Sequence, residues 1–183
     1  MNSEKIRRIT RIGVFIALTI VGAWISVPIG QVPVTLQLFF VLLAGYVLGA
    51  KDGFIAMCVY LLLGALGLPV FANFAGGFSV ILSPVGGYLI SFPFAAFVSG
   101  RMFFSKNKFS KFVLSVLLPV FVIYLLGGLQ LSYFVKSYKK AIAIGIIPFI
   151  PFDIAKAYVA LAVAFRLNKH YNKNKRKEKI YGR

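Results

Sequence analysis

Acidic residues are scarce in this sequence: only four occur among 183 residues, against 21 lysines and arginines, which gives a net charge of +17. Cysteine and histidine each occur once, as Cys58 and His170, so an intramolecular disulfide and a CxxC metal site are excluded, and no metal site is expected. The patterns GxxxxGK[ST], GxSxG and HExxH are also missing. The chain therefore has no recognisable motif for ATP hydrolysis or for standard hydrolase chemistry.

Apolar residues dominate the composition. Hydrophobic residues make up 60% of the chain and charged residues only 14%, whereas soluble domains contain about 25% charged residues. The mean hydropathy is +0.87. A chain of this size cannot bury so much apolar surface in its own core, so we predict an all-α integral membrane protein.

Six apolar segments follow one another along the chain, each sufficient or nearly sufficient for one tilted crossing of a bilayer. They cover residues 12–27, 35–50, 54–68, 84–104, 112–129 and 148–167. A turn at residues 51–53 separates the second segment from the third. We predict a compact bundle of six transmembrane helices over residues 1–168, followed by a basic cytoplasmic tail at residues 169–183.

Basic residues are distributed unevenly between the two sides of this bundle. Of the 21 lysines and arginines, the predicted outer segments contain only Lys136, Lys139 and Lys140. Loops rich in lysine and arginine stay in the cytoplasm, so both termini are expected to be cytoplasmic in a multi-pass protein of the cell membrane. The tail is expected to contact anionic membrane lipid. Nucleic acid is not expected as a partner, because no platform of stacking aromatic residues accompanies the charge.

The segment at residues 68–84 is apolar, but proline and glycine interrupt it too often for a membrane crossing. Irregular backbone at membrane depth is stable only where it is buried in protein or lines a cavity. We therefore predict a re-entrant outer loop that acts as a lid. A loop on the lipid surface, with its aromatic residues in the interfacial belt, fits the composition equally well.

Small residues at four-residue spacing occur in two of the segments, and they allow close approach of membrane helices. In the fourth segment they are Gly87, Ser91, Ala95 and Ser99, for which packing within the chain is the simpler interpretation. In the first segment they are Gly13 and Ala17. There, a partner protein is an alternative to internal packing.

One acid and one base lie in the last apolar segment. Asp153 and Lys156 are three residues apart, which places both side chains on one face of a helix. Ionisable groups at membrane depth usually pair, face a cavity and mark a ligand or ion path. Asp153 follows Pro151 and could instead only favour the positive end of the helix, but that leaves Lys156 unexplained. We predict a site that binds a small polar molecule.

Three stretches taken together resemble the BioY family, the biotin-specific S components of energy-coupling-factor (ECF) vitamin transporters. They are Val-Pro-Val-Thr-Leu-Gln at residues 32–37, Gly-Leu-Pro-Val-Phe through Gly-Gly to Pro-Val-Gly-Gly-Tyr at residues 67–88, and Pro-Phe-Asp-Ile-Ala-Lys at residues 151–156. The resemblance covers nearly the whole chain. The family more often has Gly where this chain has Phe152, Thr where it has Val85, and Gly where it has Ser91.

The resemblance implies high-affinity capture of biotin and its uptake across the cytoplasmic membrane. It implies a transmembrane T component and two ATP-hydrolysing subunits as partners, and the family's contact surface for the T component would fall on Gly13 and Ala17. No cofactor is expected besides the ATP used by the partners. Asp153 and Lys156 would bind the ligand. Gln37 of the second segment and Asn73 of the lid lie in stretches that the resemblance implies to be pocket-forming, and both would offer amide groups. Phe71, Tyr88 and Tyr158 would surround the apolar rings of the ligand, with ordinary packing or the interfacial belt as an equal alternative.

The sequence leaves three alternatives to a biotin S component open. The first is an S component for another small vitamin. The second is an intramembrane enzyme that uses Asp153 and Lys156 as acid and base, although no nucleophile accompanies them. The third is an assembly protein without a ligand, in which the charge pair only fixes the register of the helices.

Overall fold

The computed structural model describes residues 3–27 and 32–181, with side chains described as far as Lys169. The predicted tail at residues 169–183 therefore lies almost entirely outside the described side chains. The elements, in chain order, are α1 (Ser3–Trp24), β1 (Ser26–Val27), β2 (Val34–Thr35), α2 (Gln37–Leu48), α3 (Ala50–Ala65), α4 (Phe78–Ile81), α5 (Gly86–Phe103), α6 (Ser115–Val135), α7 (Tyr138–Gly145) and α8 (Ile150–Tyr181).

The long helices α1, α2, α3, α5, α6 and α8 correspond to the six predicted apolar segments. The predicted turn at residues 51–53 is wrong, because α3 begins at Ala50 and these residues are helical. The connection between α2 and α3 is Gly49 alone, at φ 87° and ψ 171°. Glycine adopts this positive φ without steric cost, which allows the chain to reverse within one residue.

Contacts between the helix ends show that the long helices run alternately in opposite directions. Near the end of α1, the Trp24 Nε1–H donates to the Pro69 carbonyl in the loop after α3, at 2.9 Å. Near the end of α6, Gln130 Nε2 donates to the Ser83 carbonyl just before α5, at 2.7 Å. We call this end of the bundle the cavity half. Its markers are Trp24, Gln37, Tyr60, Tyr88 and Asp153.

The opposite end holds the first turns of α1 and the middle of α8. Here Arg8 donates to both carboxylate oxygens of Asp52, with an Nη2–Oδ1 distance of 2.6 Å, and this hydrogen bond and the charge of Asp52 raise the pKa of Arg8. Asn168 Nδ2 donates to the Tyr46 carbonyl at 3.4 Å. We call this end the packed half, marked by Arg8, Tyr46, Asp52, Gly100 and Asn168. Residues near both ends of the described chain therefore lie on the same side of the bundle.

Glycines bring the helices of the packed half into backbone contact. A Cβ on Gly100 of α5 would lie 2.6 Å from the Ala50 nitrogen and 2.7 Å from the Gly45 carbonyl oxygen. A Cβ on Gly53 would lie 3.0 Å from the Gly45 Cα. Such close approach is what small residues allow between membrane helices. The predicted internal packing of the small residues on α5 is confirmed, since all four are buried: Gly87, Ser91, Ala95 and Ser99.

The loop between α3 and α5 contains a 3₁₀ turn at Ala72–Phe74 and the short helix α4. Asn73 and Phe74 both have positive φ, 56° and 57°, so the chain turns sharply there. The turn sits against α1, with the Trp24 and Phe74 ring centroids 5.1 Å apart. We call residues 66–85 the lid, because several of them cover the cavity described below.

Apolar side chains are exposed over much of the surface of the bundle. Within the described residues, one continuous helix, Ser110–Val135, is long and apolar enough to cross a membrane. Tyr138–Gly145 and Ile150–Lys169 meet the same criterion together, with a bend of 54° between them. A large exposed apolar surface indicates contact with lipid or protein rather than with water. On α5 and α6 it includes Phe94, Phe97, Leu118, Phe121 and Leu125.

Candidate functional site

A cavity of about 320 Å³ lies in the cavity half, between the lid and the helices. This volume is within the range of small-molecule sites, which begins at about 300 Å³. Its walls come from the β2–α2 junction, the lid, the first turns of α5 and α8, and the middle of α6. Residues of the predicted lid thus line this cavity, and the re-entrant position of the lid in a membrane stays a prediction.

Asp153 and Lys156 form the charged wall of the cavity. Lys156 Nζ donates to Asp153 Oδ1 and to the Thr35 carbonyl, both at 2.9 Å. The Asp153 and Lys156 side chains are only 12% and 14% exposed. Charge-assisted hydrogen bonds of this kind are the strong class, and the mutual pairing offsets part of the desolvation penalty.

Asp153 lies in the first turn of α8, and side chains hold its carboxylate. Its second carboxylate oxygen, Oδ2, accepts a hydrogen bond from the Tyr124 hydroxyl at 2.8 Å. Among the described residues, no backbone N–H donates to this carboxylate, and the positive end of the helix explains neither of its side-chain partners. Both oxygens face groups from neighbouring elements, so the carboxylate has a fixed orientation in the cavity wall.

Tyr124 was not predicted from the sequence. It lies in the middle of α6, where its ring lines the cavity. The available signal was weak: a tyrosine hydroxyl in an apolar run needs a hydrogen-bond partner once it is buried. That partner, Asp153, lies 29 residues further along the chain, and no local pattern connects the two.

Gln37 lies at the first turn of α2 and lines the cavity, as predicted from the resemblance. Its amide is fixed from both sides. Oε1 accepts from the Thr35 hydroxyl at 3.0 Å, and Nε2 donates to the Tyr60 hydroxyl at 2.6 Å. The side chain is almost fully buried, so it presents a preoriented amide to the cavity.

Asn73 and Phe71 reach the cavity from the lid. Asn73 Oδ1 accepts from the Ser26 hydroxyl at 2.9 Å, which connects the lid to β1. Phe71 is buried against Gly64 of α3, where any Cβ would collide with the Phe71 ring. Asn73, which is exposed, and Phe71, which is buried, therefore both line the cavity from the lid.

The remaining wall is apolar, and Tyr88 belongs to it. Its ring lines the cavity, while its hydroxyl donates to the Gly145 carbonyl at 2.8 Å. Tyr158, in contrast, does not line the cavity and is 46% exposed. It lies five residues after Asp153, which is about 140° around the helix, so that prediction for Tyr158 is not supported. The other apolar wall residues include Leu89, Phe92, Ile123 and Phe149.

Gly13 and Ala17 lie outside the cavity. Both are exposed on α1, and no other atom lies within 4 Å of a Cβ placed on Gly13. Their side of α1 is an open apolar surface that also carries Ile6, Ile9 and Val21. Internal packing therefore does not account for these two small residues.

The chemistry of the cavity is that of binding. One wall offers a carboxylate, an ammonium and an amide, and the other offers aromatic and aliphatic surface. The Ser83 hydroxyl, which also lines the cavity, donates to the Val80 carbonyl at 2.7 Å. No group of three or more His, Cys, Asp or Glu side chains that could hold a metal ion occurs within residues 3–27 and 32–169. The arrangement suits a ligand with polar atoms at one side and an apolar body.

Known proteins resemble this chain over most of its length. A sequence model of the BioY family matches residues 1–173. The biotin transporter BioY of Thermotoga maritima is 48% identical over 163 residues, covering 89% of this chain and 96% of that protein. The probable biotin transporter BioY of Pyrococcus horikoshii is 49% identical over 163 residues, with 89% and 97% covered.

Solved structures agree with the sequence comparisons. The S component for biotin from an ECF-type ABC transporter superposes with a TM-score of 0.84 at 30% identity, covering 92% of this chain and 94% of that one. The S component of a bacterial ECF transporter has the same fold, with a TM-score of 0.57 at 20% identity over 92% and 97% of the two chains. The chain belongs to the BioY family.

Proposed function

We propose that this protein binds biotin with high affinity and takes it up across the cytoplasmic membrane, as the substrate-binding S component of an ECF-type importer. The observation that carries the proposal is the cavity beneath the lid, in which Asp153, Lys156 and Gln37 face an apolar wall. The similarity to biotin transporters supports the same ligand. The intramembrane enzyme is not supported, since the relatives are transporters.

The chemistry of biotin suits the cavity. Its ureido ring has two N–H donors and a carbonyl acceptor, its thioether ring is apolar, and its tail ends in a carboxylate. Asp153 is an acceptor for the N–H groups, and Lys156 is a donor for either the tail carboxylate or the ureido carbonyl. Phe71 and Tyr88 provide surface for the apolar rings, and Asn73 offers a further amide at the edge of the lid.

In the membrane, we propose that the six long helices each span the bilayer, with the packed half towards the cytoplasmic side and the lid re-entrant at the outer side. The asymmetry of the basic residues supports this orientation, and it places both termini inside. Cysteine labelling from outside, on a Cys58-free background, should label position 136 and spare position 106. The reverse pattern would invert the proposed topology.

The proposed partners are a T component and two ATPase subunits, which fit the S-component neighbours. The chain has no phosphate-binding loop, which agrees with ATP hydrolysis by other subunits. The open surface of α1 around Gly13 and Ala17 is our proposed contact for the T component. Contact of this kind requires side chains small enough for two helices to approach closely.

The test is equilibrium binding of labelled biotin to the purified protein, with two chemically different vitamins as competitors. We expect saturable binding that unlabelled biotin displaces and that riboflavin and thiamine do not. Displacement by riboflavin or thiamine alone would assign the site to another vitamin. The mass of the ligand after incubation should be unchanged, and a new product would restore the enzyme hypothesis.

A further inference from the structure

Tyr60 is fully buried in the middle of α3 and does not belong to the cavity wall. Its hydroxyl nevertheless joins two parts of the site. It accepts from Gln37 Nε2 at 2.6 Å and donates to the carbonyl of Val70, in the lid, at 2.9 Å. One hydroxyl thus connects a residue of the cavity wall with the first part of the lid.

These two bonds continue a chain of hydrogen bonds that begins at the charge pair. Lys156 Nζ, bound to Asp153, also donates to the Thr35 carbonyl at 2.9 Å. The hydroxyl of Thr35 donates to Gln37 Oε1 at 3.0 Å. The sequence of contacts therefore runs from Asp153 through Lys156, Thr35 and Gln37 to Tyr60, and it ends at the lid.

The hydrogen bond between Tyr60 and Val70 is one of several contacts that hold the first residues of the lid. Phe71, which follows Val70, packs edge-on against the Tyr60 ring with centroids 5.6 Å apart, and its N–H donates to the Ala75 carbonyl at 3.0 Å. Gly77 N–H donates to the Gly64 carbonyl of α3 at 2.7 Å. The segment between residues 70 and 77 is therefore held against α3 at both of its ends.

We propose that Tyr60 is a positioning residue that fixes the lid and the Gln37 amide relative to the Asp153–Lys156 pair, and thereby sets the residence time of the ligand. The proposal rests on the proposed function, in which biotin is the ligand beneath the lid. Without the hydroxyl, the buried Val70 carbonyl lacks its donor and Gln37 Nε2 lacks its acceptor. A buried polar group left unpaired destabilises its local arrangement, so the lid opens more often.

The experiment compares Tyr60→Phe with Tyr46→Phe. Both tyrosines are fully buried, each packs against a phenylalanine ring, and each hydroxyl donates to a main-chain carbonyl, that of Tyr46 to Ser115 at 2.7 Å in the packed half. Each substitution removes one oxygen and keeps the ring. The pair therefore separates a general loss of a buried hydrogen bond from an effect on the lid.

Dissociation of labelled biotin after a chase with unlabelled biotin is the first measurement. We expect the dissociation rate of Tyr60→Phe to rise about 10- to 100-fold, the equivalent of one or two buried polar groups left unpaired. We expect Tyr46→Phe to stay within about twofold of the parent rate, although both variants lose thermal stability. Equal dissociation rates in the two variants, or no change in Tyr60→Phe, would overturn the proposal.

Hydrogen exchange of peptides covering residues 66–77 is the second measurement, made on the unliganded protein. Amide exchange in this segment should be faster in Tyr60→Phe than in the parent and in Tyr46→Phe. This readout does not require biotin. If the parent protein fails to bind biotin, the proposed function falls, and unchanged lid exchange in Tyr60→Phe would separately remove the positioning role.

Discussion

The packed half and the cavity half are built from the same helices, yet they differ in what keeps those helices together. In the packed half, Gly45, Gly53 and Gly100 allow the backbones of α2, α3 and α5 to touch. In the cavity half, the same three helices carry Gln37, Tyr60 and Phe92, whose side chains are too large for backbone contact. Gln37 and Phe92 line the cavity, whereas Tyr60 stands behind its wall.

The two halves are therefore stabilised in different ways. Close packing of backbones and small side chains stabilises the packed half through many van der Waals contacts. The cavity half also has a close backbone approach, since a Cβ on Gly87 would collide with the Leu126 carbonyl oxygen. It adds a connected set of buried hydrogen bonds around Asp153. Substitutions in the first region should therefore affect the fold, and substitutions in the second should affect binding.

The largest effect is expected from removing the charge at the centre of the cavity half. Asp153→Asn should reduce biotin affinity by roughly 2–5 kcal/mol, the range for losing one partner of a buried, hydrogen-bonded charge pair. Lys156→Met should also impair binding while the protein remains monodisperse. Biotin affinity and melting temperature are measured in the same detergent. Instability with full affinity would identify the pair as a register device and not as a ligand site.

The next largest effect is expected in the packed half, from adding one methyl group. Gly100→Ala should destabilise the protein by about 1–3 kcal/mol, since its Cβ would meet backbone atoms of Ala50 and Gly45 that cannot rotate away. Gly13→Ala is the matched control, because Gly13 has open space around it. Melting temperatures of the two variants measure this difference in stability. Equal stability of both would show that the packed half tolerates separation of its helices.

A smaller effect is expected at the outer attachment of the lid. Trp24→Phe removes the hydrogen bond to the Pro69 carbonyl but keeps a ring against Phe74. Trp24 is 42% exposed, so water can replace the lost donor, and we expect a change below about 1 kcal/mol in biotin affinity. A larger loss than that of Tyr60→Phe would mean that the lid is held mainly from α1.

The smallest effect on binding is expected on the exposed side of α1. Gly13→Leu should leave biotin affinity unchanged, because Gly13 lies outside the cavity and has no neighbour within 4 Å of a Cβ. It should weaken assembly with the T component, since a bulky side chain separates two helices that must approach closely. Co-purification with the T component measures assembly. Loss of biotin binding in step with assembly would remove α1 as the partner surface.

Particular residues show why parts of the site could be predicted and others could not. Asp153 and Lys156 are three residues apart, so helix geometry alone placed them together, and they do form an ion pair. Tyr158 was assigned to the wall wrongly, because α8 is apolar on several sides at that level and the sequence does not show which side faces the cavity. Tyr60 and Tyr124 had no local signal, because their partners belong to other elements.

Hydropathy, local spacing and the positions of proline and glycine specify the six long helices, the charge pair on one helix face and an irregular apolar segment between α3 and α5. Which side chains share the cavity, and how the lid is attached, depend on the assembled bundle. Those contacts join residues far apart in the chain, such as Thr35 with Lys156 and Tyr124 with Asp153. Such contacts depend on how each helix is rotated and how far apart the helices lie. Both are set by the packing of the whole bundle.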